Sequence, residues 1–92
     1  MTQFSTDEIV MYTTDWCPDC HRAKFLFKEY GISYREVDVE ADVEAEALVK
    51  KLNNGYRIVP TILFPDGTML VEPSNETLLA KIDPEGGVRS EL

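Results

Sequence analysis

Both cysteines of this chain and its single histidine fall within one stretch, Asp15-Trp16-Cys17-Pro18-Asp19-Cys20-His21. Two thiols separated by two residues and followed by an imidazole fit three chemistries. C-x-x-C-H attaches a c-type haem, C-x-x-C is half of a zinc site, and C-x-x-C is a dithiol that cycles with its disulfide. A structural zinc site takes four ligands, and after Cys17, Cys20 and His21 no strong fourth ligand remains. Haem attachment normally follows export, whereas the opening MTQFSTDEIV has neither a basic nor an apolar leader segment. The expected location is therefore the cytoplasm, where a permanent structural disulfide is also out of place. The redox dithiol is the strongest of the three.

Composition narrows the partners. The 92 residues suit one small domain, and 43% hydrophobic content is enough for a core. A net charge of −8 speaks against nucleic acid, whose phosphates are met by clustered Lys and Arg, and against an anionic membrane surface. No apolar run approaches membrane-spanning length.

The elements around the dithiol follow from periodicity and punctuation. Glu8 to Thr13 is rich in β-branched and aromatic residues and reads as a buried strand. Thr14-Asp15-Trp16 breaks it, and Pro18 suits the first position of a helix. Ala23, Leu26, Phe27 and Tyr30 give that helix one apolar face, and Gly31 ends it. A second strand is expected over Ile32 to Val39. Asp42 caps a helix running to about Leu52, with Val43, Ala47, Leu48 and Leu52 as its buried side and Glu46–Lys50 as an i, i+4 pair. Thr61 to Phe64 and Thr68 to Val71 flank Pro65-Asp66-Gly67 as a hairpin. Pro73-Ser74 opens a last helix, Asn75 to about Ile82, with Leu78, Leu79 and Ile82 inward. The order is β-α-β-α-β-β-α, an α/β fold with a four-stranded mixed sheet and helices on both faces. Residues 1–84 form the expected domain, and 85–92 a flexible tail.

This order places the dithiol where the first strand meets a helix N-terminus. Unpaired backbone N–H groups and the positive end of the helix dipole favour a thiolate there. Cys17 is thus the expected nucleophile, and Cys20, one turn further in, the resolving thiol. Pro18 stiffens the first turn. Asp15 and Asp19 oppose a second negative charge, although an acidic residue in a first turn also stabilises a helix. His21 is expected near the surface with no ligand role. A second feature lies at Arg57-Ile58-Val59-Pro60-Thr61. Pro60 is either a plain strand-entry proline or part of a cis Val59–Pro60 bond beside the dithiol.

Tyr12-Thr13, Cys17-Pro18-x-Cys20-His21-Arg22-Ala23-Lys24 and Val59-Pro60, with the hairpin and final helix, resemble the glutaredoxin branch of the thioredoxin-like superfamily over roughly Ile9 to Ile82. The resemblance implies a glutaredoxin (thioredoxin-like) fold and a thiol–disulfide oxidoreductase that acts on oxidised proteins. It implies no tightly bound cofactor, no metal, and a low-molecular-weight thiol as co-substrate. It further implies a cis-Pro60 facing Cys17 and main-chain pairing of Val59 with the bound thiol; Trp16, Pro18 and Asp19, beside the two cysteines in sequence, are expected to support the dithiol. Thiol contacts are expected from Tyr12, Thr14, Arg57, Val59, Ser74 and Asn75, in a monomer.

Departures from the family bear on the thiol. Glutathione-using relatives commonly carry Lys three residues before the nucleophile, where this chain has Thr14, and Gly-Gly-Asp before the last helix, where it has Val71-Glu72-Pro73-Ser74-Asn75. Trp16 and Asp19 replace a small or polar residue and Tyr. Trp-Cys, the arginine three before Pro60, and Pro-Ser before the last helix resemble the mycoredoxins, which use mycothiol. One alternative is a redoxin reduced directly by a flavoprotein reductase, whose Trp-Ser-Gly-Phe-Arg-Pro-like C-terminal stretch is absent here. Another is a non-catalytic iron–sulfur carrier, disfavoured by Pro18.

Overall fold

The computed structural model describes residues 8–83. At its centre is β1 (Ile9–Thr13), paired in parallel with β2 (Tyr34–Asp38) from Ile9↔Tyr34 to Thr13↔Asp38. On its other side β1 runs antiparallel to β3 (Thr61–Leu63), with Met11 opposite Ile62, and β3 pairs with β4 (Met69–Val71). The sheet order is β2-β1-β3-β4. The three helices are α1 (Pro18–Glu29), α2 (Val43–Leu52) and α3 (Asn75–Ile82). The expected element order and the mixed four-stranded sheet are both observed.

A strand alternates its side chains, and β1 is covered on both faces, so nearly all of it is apolar. Val10 and Tyr12 face α2 and pack with Val39, Ala45, Val49 and Leu63. Met11 faces the other way and packs with Ala23 and Phe27 of α1, Ile62, Phe64 and Leu78 of α3. One strand therefore joins two cores, and Met11, Phe27, Val49 and Ile62 are wholly buried.

Three sequence expectations need correction. The buried side of α2 is Ala45, Leu48, Val49 and Leu52, whereas Val43 is 82% exposed and Ala47 is also exposed. The Asp42 carboxylate accepts the Ala45 N–H at 3.1 Å, making Val43 the first helical residue, out at the open end. Ala47 lies two residues, or about 200°, from Ala45 and faces solvent. The second strand begins at Tyr34 rather than Ile32, because Ile32 completes the end of α1. Its N–H donates to Phe27 O at 2.8 Å and that of Gly31, at φ 66°, to Lys28 O at 3.2 Å. This is a Schellman closure, with Ile32 packed into the same core as Phe27. The hairpin strands are also shorter than expected. Phe64 and Thr68 bond across the turn (Phe64 N–H to Thr68 O, 2.9 Å), with Gly67 at φ 91°. The expected tail at 85–92 lies outside the described residues.

The corrected face of α2 predicts that Val49→Ala will cost about 2 kcal/mol of unfolding free energy through lost apolar contact and a cavity. Val43→Ser should stay within about 0.5 kcal/mol. Urea unfolding of the two variants checks both; equal losses would contradict the assignment of the face.

Candidate active site

The helix α1 begins with a sulfur where a hydroxyl or carboxylate usually stands. Cys17 is its N-cap, in extended conformation (φ −84°, ψ 114°), and its Sγ accepts the Cys20 N–H at 3.1 Å. Pro18 follows at the first helical position, where its missing N–H costs nothing. One of the helix's otherwise unpaired donors is thus aimed at the Cys17 sulfur. That arrangement stabilises negative charge on it.

The chain returns to this sulfur from far away. The Val59–Pro60 bond is cis, and the Val59 carbonyl lies 3.7 Å from Cys17 Sγ, within reach of its S–H. Pro60 is buried, and its own carbonyl accepts from Glu72 N–H at 2.9 Å, extending the ladder between β3 and β4. Glu72 takes a left-handed φ of 48°, a conformation that costs a non-glycine residue about 1–2 kcal/mol.

The two thiols have different surroundings. Cys17 keeps 5% of its surface exposed, while Cys20 has none. Burial, and then the hydrogen bond with Cys17, push the Cys20 thiol up to about 11; the Thr13 hydroxyl and the Thr14 backbone act in the opposite direction. Cys20 is therefore a protonated thiol at neutral pH.

Two chains of polar contacts flank the dithiol. On one flank the exposed Trp16 donates its indole N–H to Glu40 Oε2 at 2.8 Å, and the same oxygen lies 3.6 Å from Arg57, which also approaches Glu46 at 3.8 Å. On the other, Arg22 donates to Asp19 Oδ1 (2.8 Å), Asn75 Oδ1 (2.7 Å) and the Pro73 carbonyl (3.1 Å). Asp19 is thereby joined to the loop before α3. Ser74 caps α3 by accepting the Thr77 N–H at 3.1 Å. His21 is exposed, with Nε2 2.6 Å from the Asp15 carbonyl.

Of the residues expected at the site, Trp16, Pro18, Asp19, Val59 and Pro60 adjoin the dithiol in sequence or space, and Arg57, Ser74 and Asn75 belong to the flanking segments. Tyr12 and Thr14, also expected at the site, lie at the end of β1 and just beyond it, both buried. Tyr12 points to the face of the sheet away from α1. There it lines a cavity of about 220 Å³ with Arg35, Val37, Asp42 and Leu48, and burial raises its phenol's pKa. Thr14 is wholly buried, and among the described residues its hydroxyl has no hydrogen-bond partner. Glu40, Glu46 and Arg22 were not among the expected residues. Arg22 is signalled by its i, i+3 spacing from Asp19, but nothing local links Glu40 to Trp16.

Residues 9–69 match the glutaredoxin family model. Mycoredoxin 1 of Corynebacterium glutamicum is 42% identical over 76 residues, covering 82% of this chain and 92% of that protein. Glutaredoxin 3 of Escherichia coli is 34% identical over 55 residues, covering 59% and 64% respectively. Among solved structures, a glutaredoxin from Archaeoglobus fulgidus superposes with a TM-score of 0.69 over 87% of this chain and 91% of that one; at 21% identity this is a likeness of fold.

The buried Cys20 predicts a pH signature. Its folded pKa, about 11, is above the ordinary thiol value of 9.0, so the folded state holds this proton over a range where the unfolded chain has lost it. The resulting stabilisation is complete below about pH 9 and is lost as pH rises toward 11. The thermal midpoint should fall across that window, and fall less in Cys20→Ala; parallel curves would contradict this. At neutral pH a stoichiometric alkylator should label Cys17 and leave Cys20 free.

Proposed function

The chain belongs to the glutaredoxin family of thiol–disulfide oxidoreductases, and we propose that it reduces protein disulfides or mixed disulfides through Cys17 and Cys20, with a mycothiol-like thiol as its reductant. The observation that carries the reading is the Cys20 N–H aimed at Cys17 Sγ from the start of α1. A thiolate held there attacks one sulfur of a substrate disulfide. The Cys17–substrate S–S bond forms, the old S–S bond breaks, and the leaving sulfur departs with the electron pair.

Two routes complete the cycle. In the dithiol route Cys20 loses its proton, attacks the Cys17 sulfur and releases the second substrate thiol, leaving a Cys17–Cys20 disulfide. Two molecules of the small thiol then supply two electrons to restore the dithiol. In the monothiol route the small thiol itself attacks the mixed disulfide. The proximity of Cys20 to Cys17 supports the first route, and its raised pKa makes that step dependent on a proton acceptor.

The preference for a mycothiol-like thiol over glutathione draws on three observations. Thr14 supplies no cation and is buried. Arg57 is already faced by two carboxylates. The likeness to mycoredoxin 1 spans most of both chains. In this reading the protein works as a cytoplasmic monomer, with residues 1–84 as its domain and 85–92 as an appended tail; among the described residues no helix is long and apolar enough to cross a membrane.

A coupled assay with matched reductants tests the proposal. Mycothiol with its reductase should sustain turnover at least tenfold faster than glutathione with glutathione reductase. Equal rates would overturn the thiol preference, and rapid turnover with a flavoprotein reductase and no small thiol would favour the redoxin alternative. Cys17→Ser should abolish disulfide reduction, whereas Cys20→Ser should accumulate a mixed disulfide at Cys17 that mass spectrometry detects.

A further inference from the structure

The flank formed by Trp16, Glu40, Arg57 and Glu46 carries an arrangement that disulfide exchange itself does not require. One carboxylate oxygen, Glu40 Oε2, accepts the Trp16 indole N–H and faces Arg57. Trp16 immediately precedes the nucleophile and is 60% exposed; the position of its ring is tied to Glu40. Arg57 lies between Glu40 and Glu46 at 3.6 and 3.8 Å. These distances are ion-pair separations too long for strong hydrogen bonds. The charge of Arg57 is thus compensated while its N–H groups stay able to meet another acceptor.

Charge around the dithiol mouth points the same way. Asp15 and Asp19 lie within two residues of Cys17, and Arg22, the other guanidinium of the mouth, is paired with Asp19. Asp19 thus faces Arg22, and Glu40 and Glu46 face Arg57; with Asp15 two residues before Cys17, carboxylates outnumber guanidiniums around the dithiol. A substrate carboxylate approaching Arg57 meets two carboxylates already in place. An uncharged hydroxyl or amide oxygen can accept from Arg57 without disturbing them.

We propose that Glu40 is a positioning residue that sets charge selectivity: by holding Trp16 and compensating Arg57, it makes the mouth accept uncharged, hydroxyl- or amide-bearing disulfides and disfavour carboxylate-bearing ones. The inference rests on the oxidoreductase reading above and narrows its substrate class. Glu40 touches no reacting atom and acts through Trp16 and Arg57.

Three small disulfides of similar size serve as probes: bis(2-hydroxyethyl) disulfide (neutral), cystamine (cationic) and 3,3′-dithiodipropionate (anionic). Second-order rate constants for their reaction with the reduced protein are measured at low ionic strength. The anionic probe should be the slowest. Glu40→Gln keeps an acceptor for the indole and removes the charge, and should raise the anionic-to-neutral ratio about fivefold, a size typical of one partly exposed charge. Near 1 M salt most of that gain should vanish. Adding Arg57→Gln should abolish it, and Glu40→Asp should restore the parent ratio. A ratio that moves less than twofold in Glu40→Gln, or a gain that persists without Arg57, overturns the inference. If the unaltered protein reduces all three probes without regard to charge, the inference fails while the oxidoreductase reading stands. If it reduces none, both fall.

Discussion

The N–H···S hydrogen bond from Cys20 to Cys17 is the point on which the site depends. An N-cap ordinarily carries a small oxygen acceptor, which closes one of the four donors that a helix start leaves open. Sulfur is a weaker acceptor when neutral and a much better one when charged, so the helix start gains from the thiolate and the thiolate gains from the helix start. The cysteine stands at the break after β1 with extended backbone, and the residue after it, Pro18, has no N–H left to satisfy. The rest of the fold serves to keep α1 in that position: Ala23 and Phe27 seat it on Met11 and Ile62, and Leu78 brings α3 against the same core.

Around this axis, charge is managed by residues that come from other elements. Asp19 would burden a neighbouring thiolate, but Arg22 draws its carboxylate toward the loop before α3, where the same guanidinium meets Asn75 and Pro73. Glu40, from the turn after β2, does the corresponding work for Trp16 and Arg57. Exposed pairs of this kind contribute little to stability. Their effect is to fix where charge and aromatic surface stand around a reactive sulfur.

How much of this was legible follows from range. β1, α1 and the dithiol at their junction could be read because each signal is local: β-branched and aromatic residues, a proline at a helix start, an apolar stripe of period 3.6. The inner face of α2 does not follow from its pattern, because Val43 to Leu52 offers more apolar residues than the sheet can cover. Only the cap at Asp42 decides which of them turn inward. Ile32 looked like strand because its side chain is apolar, yet its backbone is committed to closing α1. Thr14 and Tyr12 sit beside a recognisable motif, but β1 alternates and the core decides what its end presents. Glu40 and Trp16 are 24 residues apart, a separation at which no local pattern speaks.

The complete enclosure of Cys20 has a kinetic consequence. Of the two cysteines, only Cys17 keeps any surface open to bulk water, so encounter with an outside partner is a second-order event confined to one residue. Whatever Cys20 does is unimolecular, governed by proximity and by loss of its own proton. Raising the concentration of a partner accelerates the first event without touching the second. A pair of chemically identical side chains is thereby given two different reaction orders, and the asymmetry comes from packing.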